Sequence, residues 1–177
     1  AKSYSPYDMV YSEIYGMNQV SVQDVLHILE KNGVTVEQVI QLPYIRDDVF
    51  NYLPVTEINR DFGCDYQIQE GEFLNLFQYN LEDGYEHNIQ PVSTVTISGD
   101  RKLQSVGTDV KILFNQNPTF ADKTLIINDS DFEKLSADIT GSAGIANLFQ
   151  FQNWEDSYAG VCEVKEYLQE SNQLNED

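Results

Sequence analysis

The sequence lacks the residue patterns on which most catalytic sites depend. Only two histidines, His27 and His87, and only two cysteines, Cys64 and Cys162, occur among 177 residues. It contains no Gly-x-Ser-x-Gly elbow, no Gly-rich phosphate loop and no Cys-x-x-Cys pair. With 29 acidic side chains, no two stand out as an acid–base pair, because some lie close together by chance alone. The sequence therefore predicts a protein without catalytic residues, cofactor or metal.

Basic residues are also scarce. The chain has 10 Lys and Arg against 29 Asp and Glu, which gives a formal net charge of −19. Such a surface repels a phosphate backbone and anionic lipid headgroups, so nucleic acid is excluded as a partner. Cations, basic peptides and basic proteins are the partners that it attracts. The same charge also serves solubility alone.

The acidic residues are unevenly distributed along the chain. No Lys or Arg occurs between Asp61 and Asp100, and Lys165 is the only base in the acidic stretch 155–177. One face or loop region is therefore expected to be more negative than the rest. We predict that it is a ligand-binding acidic surface that includes Asp61, Asp65, Glu70, Glu72, Glu82, Asp83 and Glu86.

Long apolar runs are absent as well. No run of about 18 apolar residues occurs, so the sequence predicts no membrane-spanning helix. It shows no signal peptide, and its start at Ala1 without Met is typical of a processed or excised fragment. Cys64 and Cys162 lie far apart, and either one disulfide or two separate thiols fit their spacing.

The first part of the chain predicts a β-α-β unit. Residues 7–15 are rich in β-branched and aromatic residues and predict a strand. Ser21 is placed to cap a helix that closes at Asn32 and Gly33. The helix has one apolar stripe of Val22, Val25, Leu26 and Leu29. The second strand is expected to present Val34, Val36, Ile40 and Leu42 on one face and to end at Pro43.

The middle of the chain is less regular. Residues 44–72 predict a turn-rich connection around Pro54, with a short helix or an irregular segment in place of a clean strand. Strands are predicted at 73–79, 92–98, 109–114 and 124–128, and a turn at Asp83-Gly84.

The last part of the chain predicts two helices around one strand. Asp129 or Asp131 is expected to cap a short helix containing Phe132 and Leu135. A loop at 141–144 and a strand at 145–152 follow, the strand with Ile145, Phe149 and Phe151 on one face. Asn153 is then placed to cap a final helix whose apolar stripe is Trp154, Tyr158, Val161, Cys162 and Leu168.

This order of elements predicts the α+β class. We expect a mixed or largely antiparallel sheet, helices packed mainly on one face, a β-α-β start and a C-terminal helix. The length fits a single domain over residues 1–177. Two small lobes, at about 1–60 and 61–177, are an open alternative.

Two short motifs resemble cation-binding sites only in part. His87 belongs to an acidic turn, but a zinc site needs three or four converging ligands. Residues 128–131 alternate oxygen ligands as a calcium loop does, yet the required Gly and distant Glu are missing. Helix capping is the better interpretation of residues 128–131.

Three segments resemble one family. They are the opening Ser5-Pro6-Tyr7-Asp8-Met9-Val10-Tyr11 with its following helix and strand, the run Leu125-Ile126-Ile127-Asn128-Asp129-Ser130-Asp131-Phe132-Glu133-Lys134-Leu135, and the strand 145–152 leading into a long C-terminal helix. Together they resemble the large extracellular domain of FtsX-like ABC transporter permeases, in particular the bacitracin- and lantibiotic-resistance type. A further copy of the strand pattern at 94–103 departs from it, because Gly99 intrudes and no aromatic residue follows Asp100.

The resemblance implies a place and a set of partners. The fragment would lie on the extracytoplasmic side of the cell membrane, between two flanking transmembrane helices of the parent permease. A separate cytoplasmic ATP-binding subunit would supply the energy, and a sensor histidine kinase would be a further partner. The cargo would be an antimicrobial peptide or a lipid-linked molecule, and a cationic peptide suits the charge of −19.

Other functions fit the same residues. A stand-alone secreted or lipoprotein-type recognition or adhesion domain would have a similar acidic surface and tyrosine-rich strands. An acidic inhibitor or immunity protein would mask a basic partner by charge mimicry. An unfamiliar hydrolase is a further alternative, because a motif search misses unknown sites. The sequence on both sides of this fragment distinguishes the permease domain from the stand-alone domain.

Overall fold

The protein is described here by a computed structural model that covers residues 7–14, 21–77, 79–80, 85–86, 91–111, 123–137 and 142–171. Within these residues the strands are β1 (Met9–Ile14), β2 (Val36–Arg46), β3 (Asn51–Pro54), β4 (Glu72–Phe77), β5 (Tyr79–Asn80), β6 (Tyr85–Glu86), β7 (Thr94–Ile97), β8 (Arg101–Val110), β9 (Thr124–Ile127) and β10 (Ser142–Phe151). The helices are α1 (Val22–Lys31), α2 (Val55–Phe62), α3 (Asp129–Ala137) and α4 (Tyr158–Glu170).

Eight of these strands form one mixed sheet. Their order is β1-β10-β2-β3-β9-β4-β8-β7, and β5 pairs with β6 separately. The pairs β3–β9 and β4–β8 are parallel, whereas the other neighbours are antiparallel. The predicted α+β class with a mixed, largely antiparallel sheet is confirmed.

The β-α-β start is a split unit. Both β1 and β2 pair antiparallel with β10, so they run parallel to each other with β10 between them. The Ser21 side chain accepts the Gln23 N–H at 3.1 Å and caps α1 as predicted. Gly33 follows the helix at a φ of +78°, a conformation that glycine adopts without strain.

Strand β2 differs from the prediction in two ways. It continues through Pro43 to Arg46, and of its residues only Ile45 and Arg46 pair with β3. Among the described residues, Pro43 therefore has a partner strand on one side alone, and a proline is tolerated in a strand that is open on its other side. In addition, the register with β10 skips Glu37, which makes a β-bulge.

The bulge explains why the four residues expected on one face of this strand are divided. Val34 and Val36 pack with Phe149 against α1 and α4, whereas Ile40 and Leu42 pack in the core on the opposite face. An extra residue reverses the alternation of side chains on one side of the bulge. The prediction of a single face was therefore wrong.

The connection after β2 contains the expected short helix and an unexpected strand. Helix α2 begins directly after Pro54, and Gly63 ends it at a φ of +66°. The four residues of β3 are all buried, so the prediction that no clean strand would occur here was wrong. Residues 63–71 form no helix or strand.

The predicted strands at 73–79, 92–98 and 124–128 correspond to β4, β7 and β9. The predicted strand 109–114 overlaps β8 at Asp109 and Val110, and β8 begins eight residues earlier, at Arg101. Residues 112–114 lie outside the described residues. Strand β8 forms a hairpin with β7 around Ser98 and Gly99, which have φ values of 49° and 87°. The predicted Asp83-Gly84 turn lies outside the described residues, between β5 and β6.

Helices cover both faces of the sheet unequally. Adjacent residues Tyr52 and Leu53 point to opposite faces, and their core clusters contain residues of α3 and α2 respectively. Likewise, Phe149 shares a core cluster with α1 and α4, whereas its neighbour Leu148 shares a cluster with α2. Three helices, α1, α3 and α4, therefore lie on one face and α2 lies on the other, as predicted for a sheet covered mainly on one side.

The last three elements required further corrections. Ser142–Gly144, expected in a loop, belong to β10 and pair with Arg46, Ile45 and Tyr44. Asn128, and neither Asp129 nor Asp131, caps α3, because its Oδ1 accepts the Ser130 N–H at 2.8 Å.

Helix α4 starts later than predicted and buries a different face. A 3-10 turn occupies Trp154–Asp156, and Asn153 donates from its side chain to Asp156 instead of capping the helix. Tyr158 is 81% exposed, whereas Gly160, Val164 and Leu168 are buried. The predicted apolar stripe assumed that the helix begins at Trp154, but a 3-10 turn lies there instead. The prediction was therefore wrong for Tyr158, which is exposed, and is confirmed for Leu168, which is buried.

Candidate functional site

The segment that carried the family resemblance forms a polar junction at the start of α3. Asn128 donates from Nδ2 to the Ile68 carbonyl at 3.0 Å. Asp129 accepts the Thr56 N–H at 3.1 Å, which links the first turns of α2 and α3. The side-chain oxygens of Asn128, Asp129 and Asp131 thus bond to groups of the chain itself, and of these three residues only Asn128 caps α3.

This junction lies where ligands bind in many α/β sheets. Strands β3 and β9 are parallel neighbours, and the helices that follow them lie on opposite faces. The carboxyl ends of two such strands form a crevice. Here the Asp129 carboxylate bridges the two helix starts across it. The contacts therefore favour a structural role for this crevice.

A buried ion pair completes the junction. Asp131 is fully buried, and its Oδ1 accepts a hydrogen bond from Arg101 Nε at 2.7 Å. Its Oδ2 accepts the Gly71 N–H at 2.8 Å. Charge-assisted bonds to both oxygens compensate the carboxylate for its loss of water. Sequence reasoning missed this pair, since no local pattern links residues 30 positions apart.

Two of the predicted surface acids flank the junction. Glu70 is exposed, and the Ser130 hydroxyl, followed by the Lys134 charge, lowers the pKa of its carboxyl. Glu72 is half-buried and accepts the Gln69 N–H at 2.9 Å. Glu70 is therefore the more available of the two to an external ligand.

Two further predicted acids lie around the end of α2. Asp61 accepts from Arg60 Nε at 2.9 Å, and Arg60 also bonds Glu57. Asp65 is exposed in the segment after the helix. Asp61 is thus neutralised locally, whereas Asp65 is available to solvent.

The remaining predicted acids cannot be placed as side chains. Glu82 and Asp83 lie outside the described residues, and for Glu86 the structure describes only its pairing in β6. In the part of the chain that is described, no group of three or more His, Cys, Asp or Glu side chains converges to hold a metal ion. The predicted acids form separate groups along the chain, with no single cluster among the four described side chains.

The two cysteines are free thiols and belong to different parts of the fold. Cys64 packs beside the core that includes Leu53, whereas Cys162 lies on α4. The alternative of two separate thiols is the one that the structure contains.

Two tyrosines near the core have raised pKa values. Tyr66 donates to Asp109 at 2.5 Å, and burial followed by this bond raises its pKa. Burial, with a smaller effect of the Asp61 charge, raises the pKa of Tyr7 to about 12. These tyrosines connect the 63–71 segment and the start of β1 to the core.

His27 is exposed on α1, and His87 lies outside the described residues.

Most carboxylates of the described chain have no basic partner. The ion pairs among the described residues are Lys31–Glu163, Arg60–Glu57, Arg60–Asp61 and Arg101–Asp131. Three bases therefore engage four of the acids. Most of the described acids therefore carry a charge that no described base neutralises locally.

The chain matches no protein-family model, and no curated protein matches it either. Among the described residues, no helix has the length and apolar character needed to cross a membrane. The likeness to FtsX-like permeases stays a prediction from the sequence.

Proposed function

We propose that this chain is a non-catalytic recognition domain for a cationic peptide, and that it serves as the extracytoplasmic domain of an FtsX-like ABC transporter permease. The observation that carries the proposal is the net charge of −19, together with the many carboxylates among the described residues that have no basic partner there. A surface of this kind raises the encounter rate with positively charged partners and disfavours anionic ones.

The arrangement of the acids supports a binding surface over an active site. Asp65 and Glu70 are exposed, and neither lies in a converging cluster of titratable groups among the described residues. Long-range attraction does not require convergence, because the field of many charges adds over the whole surface. Recognition by charge is thus compatible with a site that has no single centre.

The placement in a permease is tested by the parent reading frame. Hydrophobic segments of about 20 residues on both sides of this chain are expected for a domain inserted between two transmembrane helices. A secretory signal or lipoprotein motif without flanking spans would favour the stand-alone recognition domain instead. Transport energy would come from a cytoplasmic ATP-binding subunit, so no nucleotide motif is needed here.

The binding step is tested by calorimetry with a Lys- and Arg-rich peptide at low and high salt. Binding is expected to weaken about tenfold or more between about 50 and 300 mM salt, because screening shortens the reach of surface charges. A peptide of the same length with Gln at each basic position is the control. Absent binding at low salt, or binding independent of salt, would contradict the proposal.

Variants test the predicted acidic surface itself. Asp65→Asn combined with Glu70→Gln removes two exposed charges, and Asp100→Asn in the β7–β8 hairpin removes an exposed charge outside the predicted set. The double variant is expected to bind the basic peptide several-fold more weakly than the hairpin variant. Equal effects per charge removed would place recognition in the overall field and not in these residues.

A further inference from the structure

The sheet ends in two strands of different character. Strand β1 has six residues, all paired with β10 in an unbroken register from Met9 to Ile14. Strand β7, at the other end, has four residues. In the ranges that the structure describes, each of them pairs with a single strand. An edge strand presents alternate N–H and C=O groups away from the sheet.

Strand β1 carries few of the devices that usually protect an edge. Proteins blunt exposed edges with Lys, Pro, bulges or very short strands. The sequence of β1, Met-Val-Tyr-Ser-Glu-Ile, contains no Lys and no Pro, and its pairing contains no bulge. Beside β7, by contrast, the hairpin strand begins with Arg101 and Lys102. Of the two edges, β1 therefore has the fewer of these protective features.

The charged residues of β1 and of the elements beside it are mostly acidic. Residues 7–14 and 142–164 make up β1, β10, the 3-10 turn and the first half of α4, and they contain no Lys or Arg. Their charged residues are Asp8, Glu13, Glu155, Asp156 and Glu163. Of these, Glu163 is paired with Lys31, and Asp8 accepts the Phe151 N–H. A basic strand is therefore complementary to the edge, whereas an acidic strand is repelled.

From these observations we propose that the outer edge of β1 is a strand-addition site for an extended, basic peptide segment. Backbone hydrogen bonds along Met9–Ile14 would supply the affinity, and basic side chains would supply selectivity. The half-buried Met9 and Val10 add apolar contact area on the two faces of the strand. The inference rests on the proposed function, since it names the surface on which a cationic peptide binds.

A second copy of this chain is the less favourable occupant of the same edge. Two copies would each bring a net charge of −19. Their association would also place two mostly acidic edges side by side, at a cost from like-charge repulsion. The edge therefore favours a partner of opposite charge.

The experiment compares two isomeric peptides with the 177-residue chain. Both carry the same alternating Lys and Val residues, and they differ in whether the odd or the even backbone amides are N-methylated. Only one set of amides faces the protein in a strand-addition complex, because successive N–H groups of a strand point in opposite directions. One isomer is expected to lose binding by about tenfold or more, while the other binds as the unmodified peptide does.

Matched protein variants locate the edge. Ser12→Lys adds a protective charge to β1, and Thr96→Lys makes the same change of charge on β7. Ser12→Lys is expected to weaken binding about tenfold, and Thr96→Lys less than about twofold. Amide exchange of Met9–Ile14 should slow when the unmodified peptide is added, and circular dichroism confirms that both variants fold.

The outcomes separate the two proposals. Equal loss for both N-methylated isomers and for both Lys variants, with salt-dependent binding retained, would overturn the strand-addition site and leave the charged surface. Lack of any binding by the unmodified peptide at low salt would overturn the proposed function as well. Concentration-dependent dimers that Ser12→Lys abolishes would assign the edge to a second copy and overturn the inference.

Discussion

Arg101 and Asp131 form the ion pair that joins the β7–β8 hairpin to α3. Arg101 retains 32% exposure of its side chain, whereas Asp131 has none. Asp131 also accepts the Gly71 N–H just before β4. One carboxylate therefore fixes a hairpin, a strand start and a helix relative to one another. Because only Arg101 is partly exposed, removing Arg101 and removing Asp131 should change the free energy of unfolding by different amounts.

Removing the cation is expected to cost more than removing the anion. Arg101→Ala leaves the buried carboxylate without a counter-charge and should lower the free energy of unfolding by about 3 kcal/mol. Asp131→Asn leaves a guanidinium that water can reach, so about 1–2 kcal/mol is expected. Urea denaturation measures both variants. The exposed neighbour change Lys102→Ala serves as the control and should stay within about 0.5 kcal/mol.

Gly160 packs α4 closely against the end of α1 and the residues that follow it. A Cβ at this position would lie 3.0 Å from Val34 Cγ2 and 3.3 Å from Asn32 Cβ. We expect Gly160→Ala to destabilise the protein by about 1 kcal/mol, because overpacking outweighs the gain of about 1 kcal/mol in helix propensity. Thermal or urea unfolding tests this. In a Val34→Ala background the same change should cost less, and an equal cost there would contradict the steric explanation.

Glu163 gives the contact between α1 and α4 a dependence on pH. Hydrogen bonds from Lys31 and then Asn32 lower the pKa of its carboxyl. Because the folded pKa is below the unfolded value, the stabilising contribution is present above the ordinary Glu range, near pH 4.3, and is lost as pH falls through the lowered pKa. An NMR titration of Glu163 in Lys31→Met should show its pKa rising toward the ordinary value. An unchanged titration would mean that Lys31 does not hold it.

The two thiols should be available without reduction. Because Cys64 and Cys162 are both free, each is expected to react with an alkylating reagent once the chain is unfolded in denaturant without a reductant. Mass spectrometry should show two added groups per chain. The same experiment after reduction is the control, and labelling that appears only after reduction would indicate a disulfide.

The sequence was most informative where short-range rules decide the structure. The stripe of α1, its Ser21 cap and Gly33 follow from spacing within a dozen residues, and the structure confirms each of them. The strand-to-helix step from β9 into α3 was visible in the same way. Its capping residue was misassigned, because Asp129 and Asp131 bond to segments far away in sequence.

What could not be predicted depends on neighbours that the local sequence does not reveal. Whether Pro43 ends a strand depends on which side carries a partner, and the bulge at Glu37 appears only once β10 is paired with β2. The full ten-residue strand β8 was not predicted, because polar residues recur along it and one of its faces is only half-buried. The candidate binding surface was predicted from charge alone, which states the sign of a partner and not where it docks.

The position of β10 between β1 and β2 bears on how the molecule is made. The sheet cannot close on that side until residues 142–151 leave the ribosome, long after both neighbours have been synthesised. Pairings of such long sequence separation slow folding and leave bare strands exposed to aggregation. A nascent chain stalled before Ser142 would therefore lack the strand that pairs with both β1 and β2, and this side of the sheet could form only once β10 has been synthesised.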